Sequence, residues 1–125
     1  MKGNDTSIAS KALGSYAKVS NEFHARMYAK LNVGTASQLK FSAARIQKTP
    51  TNLDAVIPQI RVLFIGDDGQ VSVLSAWQNV SSFTATEITV DLASVQNKTG
   101  VLMIEVDCAQ NGGRAGVNVS GISLA

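Results

Sequence analysis

The chain is poor in the residues that most often do chemistry. Among 125 residues there is one histidine, one cysteine and one tryptophan, and aromatic side chains make up only 6%. A lone cysteine, Cys108, has no partner for an intramolecular disulfide and cannot build a thiolate metal cluster. It falls at an inward position of an alternating run and reads as a small core hydrophobe. A lone histidine, His24, means that any Ser–His or Cys–His catalytic unit must use that residue. Charged residues are 16%, and 11 basic against 9 acidic side chains leave a net charge of +2. That balance is too small and too scattered to predict nucleic acid or a membrane surface as partner. No apolar run approaches the roughly 18 residues of a spanning helix, so no membrane span is expected. The opening MKGNDTSIAS lacks the apolar stretch of a secretion signal. A polar, glycine-containing start of this kind fits a segment of a larger chain as well as a non-Sec protein.

What is present is alternation. In the last third, Thr84 to Ala125, apolar side chains fall at every second position: Ile88, Val90, Leu92; Leu102, Ile104, Val106, Cys108; Val117, Val119. A period of two buries one face and wets the other, the signature of antiparallel strands. Upstream, residues 1–14 read as a linker or, over Ile8 to Leu13, a first edge strand, and residues 15–125 as a single domain. Tyr16 to Val33 fits a helix by propensity, but its strict alternation favours a strand. Phe23, Ala25, Met27, Ala29 and Leu31 would then point inward, and His24, Arg26, Tyr28 and Lys30 outward. A second run, Gln38 to Gln47, is expected to pair with it as a hairpin across Asn32 to Ser37. Val56 to Ile65 reads as a central strand, with Pro58 at its start because proline cannot donate to the ladder. Gly66 to Gln70 is the clearest turn, since Asp-Gly between β-branched runs is a strong hairpin signal. Val71 to Ala76 returns from it, and Trp77 follows. About eight short strands with no convincing helix define an all-β protein, an antiparallel β-sandwich or jelly roll.

The order of these segments resembles a known family. FHARMYAKL, QLKFSAARI, a hairpin, the lone Trp77, EITVDLAS, GVLMIEVDCA, a glycine-rich turn and a closing GVNVSGISLA look like the galactose-binding-like jelly roll. That fold serves many carbohydrate-binding modules and accessory domains of phage tailspike and fibre proteins. The resemblance runs from about Tyr16 onward and rests on pattern order. It implies a carbohydrate ligand on a host or substrate surface. In such modules the closing strand often carries an acid that helps hold a structural calcium; here that position is Ser120. No metal and no cofactor are therefore expected, because Ca²⁺ needs six to eight oxygens and no acidic cluster supplies them.

Sugar binding needs aromatic faces to stack on a pyranose and a few polar groups to orient its hydroxyls. The candidates are Trp77, Tyr28, Arg26, His24 and Arg114, with Tyr16 and Gln78 beside them. The plainer alternatives are a tryptophan plugging one end of the sandwich and an outward row that is simply solvated. Enzymatic chemistry has little support. No G-x-S-x-G elbow surrounds a serine, and the glycine-rich stretches lack the lysine and following helix of a phosphate loop. Asp67 and Asp68 read as turn residues, and Glu105 and Asp107 as the outer face of a strand.

Three functions follow as expectations. The first is a non-catalytic module of a larger extracellular or virion protein, binding glycan. The second is an oligomerisation domain, a trimer above all, of a phage tailspike, suggested by outer faces rich in Ala, Ser, Thr and Val and poor in charge. The third is a small hydrolase using His24.

Overall fold

Over the described residues, the runs that alternation marks out are strands, and their inward rows meet in one core; the edge strand expected over Ile8 to Leu13 and the start of the run at Tyr16 lie outside the described residues. The computed structural model describes residues 6–7, 24–45, 57–107 and 117–125. It contains β1 (Thr6–Ser7), β2 (His24–Asn32), β3 (Gln38–Arg45), β4 (Gln59–Gly66), β5 (Val71–Asn79), β6 (Thr86–Asp91), β7 (Thr99–Asp107) and β8 (Val117–Leu124). A 3₁₀ turn, Ala93–Val95, bridges β6 and β7. One sheet has the order β1-β2-β7-β4-β5 and the other β6-β3-β8. All pairings are antiparallel except the short parallel contact of Thr6–Ser7 with Met27–Tyr28.

The two sheets stack their apolar rows on one another. Met27, Ile60, Val62, Phe64, Leu102, Ile104 and Val106 come from the larger sheet, and Leu39, Phe41, Val90, Val117, Val119 and Ile122 from the smaller. Each fully buried aliphatic or aromatic side chain contributes about 1.5–3 kcal/mol relative to exposure. Among the described residues no polar or charged side chain is buried. The core is therefore purely a packing device, and any recognition chemistry lies on the surface.

The hairpin expected between Phe23–Leu31 and Leu39–Ile46 does not form. β2 pairs with β7, whereas β3 pairs with β6 and β8. The link from Asn32 to Ser37 carries the chain from one sheet to the other. It turns at Gly34, whose φ of 62° is costly for a residue with a Cβ. The Gly34 N–H donates to Asn32 Oδ1 at 2.8 Å, and the Gly34 carbonyl accepts from Asn97 N–H at 2.8 Å. The physical reason is burial: β2 and β3 each present one apolar row, and stacking those rows face to face covers both.

The second hairpin is as expected. Gly66 to Gln70 reverses the chain between β4 and β5, with the Gln70 N–H donating to Asp68 Oδ1 at 3.0 Å and Gly69 at φ 84°. β4 lies between β7 and β5, as a central strand should. Pro58 stands just before it, and its carbonyl accepts the Val80 N–H at 2.8 Å. β5 runs further than the sequence suggests, to Asn79, so Trp77 lies within the strand. Two register shifts put one extra residue of β5 opposite β4 near Arg61 and a second at Leu74. These bulges keep Leu74 directed at the core while letting Trp77 face outward.

Candidate functional site

The larger sheet exposes an outer face built from four cross-strand rows. The register fixes them without ambiguity. Asp107, Gln59 and Asn79 form one row across β7, β4 and β5, with the backbone of His24 in register with Asp107. Arg26, Glu105 and Arg61 form the next, and Trp77 completes it at the bulge. Tyr28, Met103, Leu63 and Val73 form the third, and Lys30, Val101, Ile65 and Val71 the fourth. Strand alternation thus divides the face into two polar rows and two apolar ones.

The second row is tightly organised. The guanidinium carbon of Arg61 lies 4.6 Å from the Trp77 ring centroid, within the range of a cation–π contact. The Arg61 Nε donates to Glu105 Oε1 at 2.6 Å. Arg61 and Glu105 are half-buried, at 29% and 13% side-chain exposure, so the pair is only partly screened by water. Arg26 is the register partner of Glu105 on the other side. One carboxylate therefore sits between two guanidinium-bearing strands, and the indole lies at the end of the row. In the first row Gln59 Nε2 donates to Asn79 Oδ1 at 3.1 Å, which fixes the orientation of both amides.

The sequence-based candidates are distributed as follows. Trp77, Arg26 and Tyr28 share this outer face, with Tyr28 39% exposed. His24 is the register partner of Asp107 at the start of β2. Trp77 does not plug an end of the sandwich: it is half-buried beneath Arg61 on the sheet surface. Gln78, grouped with Trp77 in sequence, pairs with the core residue Ile60 and so lies on the opposite side of β5. Arg114, Tyr16 and Cys108 lie outside the described residues. Among the described residues no group of three or more potential ligands is placed to hold a metal ion. Among the described residues no helix is long and apolar enough to cross a membrane.

Arg61, Glu105, Gln59 and Asn79 are members of this face that sequence reading did not mark as site residues. Their signal was the outward position on strands already recognised. What was missing was the strand order, which sets them beside Trp77 and Arg26. Phe83, 43% exposed in the segment between β5 and β6, was also passed over. The Arg45 guanidinium carbon lies 5.0 Å from its ring centroid.

No family model matches the chain, and no curated protein matches it. Solved structures do match in fold. A structure of carbohydrate-binding modules from the β-sandwich superfamily aligns with a TM-score of 0.56 at 13% identity, over 99% of this chain and 63% of that one. The chain thus spans less than two thirds of that structure's length. A family 28 carbohydrate-binding module specific for non-crystalline cellulose aligns with a TM-score of 0.57 at 11% identity, over 87% of this chain and 73% of that one. The pre-peptidase C-terminal domain of a Bacillus anthracis collagenase aligns with a TM-score of 0.53 at 12% identity, over 98% of this chain and 95% of that one. At such identities the likeness is one of fold. The chain has the two-sheet β-sandwich of the carbohydrate-binding modules, which is the resemblance its strand order carries.

Proposed function

We propose that this chain is a non-catalytic carbohydrate-binding module that receives a glycan across the outer face of its five-stranded sheet. The observation that carries the reading is the row Trp77–Arg61–Glu105–Arg26 beside the exposed ring of Tyr28. A sugar ring has an apolar face and a hydroxyl edge, and this surface offers the exposed Tyr28 ring next to charged groups already fixed in place, with Arg61 held by its contacts with Trp77 and Glu105. Pre-fixed partners lower the ordering cost of binding. The fold likeness to modules that bind polysaccharide supports the same reading. Membership of a larger extracellular or virion protein, such as a phage fibre, is part of the proposal, and the parent gene tests it. The test of binding is a glycan array with Trp77→Ala and Tyr28→Ala as controls. Saturable binding by the natural chain that both variants weaken is expected; a natural chain that retains no saccharide sinks the proposal.

A second reading, assembly with copies of itself, is supported by a different part of the same face. Val71 and Val73 are 60% and 57% exposed, and they adjoin Ile65 and Leu63 of β4, beyond which Val101 and Met103 of β7 continue the two apolar rows. Contiguous exposed apolar surface of this kind marks contact sites. A trimer or dimer would cover it. The hydrolase alternative built on His24 has no observation in its favour.

A further inference from the structure

A cleft of about 260 Å³ opens on the other side of β5, where the edge of the larger sheet meets β6 and β3 of the smaller. Gln78, Asn79, Ser81, Ser82 and Thr86 supply its polar lining, over an apolar base that includes Ala43 and Ile88. None of its lining residues is charged. From this we infer a second binding site, distinct from the Trp77–Tyr28 surface, for a neutral, hydroxyl-rich ring the size of one sugar unit.

Three features select that ligand class. The first is size. Drug-sized ligands occupy pockets of roughly 300–1,000 Å³, so this cleft takes something smaller, yet it holds far more than a single water of about 30 Å³. The second is the sign of its hydrogen-bonding groups. Gln78 Nε2 already donates to Ser75 Oγ at 3.2 Å, which leaves its carbonyl oxygen to accept. Thr86 Oγ1 donates to the Thr84 carbonyl at 3.2 Å, so its lone pairs remain as acceptors. Ser82 Oγ accepts the Thr84 N–H at 3.0 Å and keeps its own proton to give. Fixed acceptors beside a fixed donor suit hydroxyls, which both give and receive, and suit neither a bare anion nor a cation. The third is rigidity. The Arg45 N–H donates to the Ser82 carbonyl at 2.8 Å, and the Arg45 guanidinium lies against Phe83, the next residue in the chain. The segment carrying the polar lining is thereby tied to β3.

The site shares only Asn79 with the outer face, where Gln59 holds the Asn79 Oδ1. Trp77 and Gln78 are neighbours in β5 but point to opposite sides of it, so the strand separates the cleft from the Trp77 surface.

The test is a titration of the full chain with free glucose, galactose, mannose and xylose, each to about 100 mM, followed by amide ¹H–¹⁵N spectra, with glycerol as the acyclic comparison. Saturable shifts are expected at Ser81, Ser82, Thr86 and the Gln78 side-chain amide with at least one of the sugars. Ser82→Ala and Thr86→Val, both at exposed positions, are expected to keep the fold and weaken that binding by about threefold or more. The inference is overturned if no sugar shifts residues 78–88. It is equally overturned if the shifts are confined to Trp77 and Tyr28, if glycerol produces the same saturable shifts, or if neither variant changes the affinity. Failure of the outer-face proposal is read separately, from the Trp77 and Tyr28 resonances and from polysaccharide retention.

Discussion

Arg61 holds Trp77 and Glu105 at once: its guanidinium covers the indole at 4.6 Å while its Nε donates to the carboxylate at 2.6 Å. Removing it exposes one partner and takes a charged donor from the other. Arg61→Met is expected to cost about 1–3 kcal/mol, because Glu105 is left half-buried without that donor. Arg61→Met combined with Glu105→Gln should cost less than the two single changes added together, a coupling that urea denaturation of the four variants measures. Trp77 is the only tryptophan, so its fluorescence should also shift to the red when the guanidinium no longer shields it.

Tyr28 separates binding from folding. Its side chain is 39% exposed, and its neighbours in the row are apolar. Tyr28→Ala is expected to change stability by no more than about 0.5–1 kcal/mol. The same change should weaken retention of a bound polysaccharide by about tenfold, as loss of an aromatic platform does. Affinity electrophoresis in polysaccharide gels, beside thermal melting, reads both quantities.

Gly100 admits no larger residue. A Cβ there would sit within van der Waals overlap of the Ile65 carbonyl oxygen, the Gly66 Cα and the Phe64 ring. Two of those three neighbours are backbone and cannot rotate away. Gly100→Ala is therefore expected to destabilise the sandwich by about 1–3 kcal/mol, or more if β4 and β7 must part. Gly34→Ala has open space around its Cβ and suffers only from its φ of 62°. It should cost about 1 kcal/mol, less than Gly100→Ala does at its worst. Comparing the two melting curves tests the distinction between a steric and a torsional glycine.

Val71 and Val73 decide the assembly reading. Both are exposed and neither belongs to the core cluster. Val71→Lys with Val73→Lys should leave the denaturation midpoint nearly unchanged. If copies of the chain associate through this face, the same double variant should sediment as a monomer at concentrations where the natural chain does not. A natural chain that is itself monomeric at high concentration removes the reading.

Much of the core was legible because alternation is a local property. Met27 and Ala29 of β2, and Leu102, Ile104 and Val106 of β7, are buried where a period of two places them. The turn at Gly66–Gln70 was legible for the same reason: its chemistry lies within five residues. Partnership was not. An alternating strand declares which side is wet but not which strand lies next to it, so β2 and β3 read as a hairpin although they belong to opposite sheets. The Arg61–Trp77 contact was hidden twice over. It depends on β4 and β5 being neighbours, and on a bulge that turns the indole toward Arg61 and not toward the core. Phe83 was hidden because a lone aromatic among serines and threonines carries no periodicity.

The bulges of β5 have a bearing on the company this domain can keep. β5 ends its sheet, carries no charged residue along Val71–Asn79, and has no described strand on its far side. A straight strand of that composition would template another chain and invite fibrils. Two extra residues break the regular spacing of its N–H and C=O groups, so an incoming strand cannot follow it for more than a few residues. Several copies strung on one polypeptide, or crowded on one surface, could thus lie side by side without zipping together.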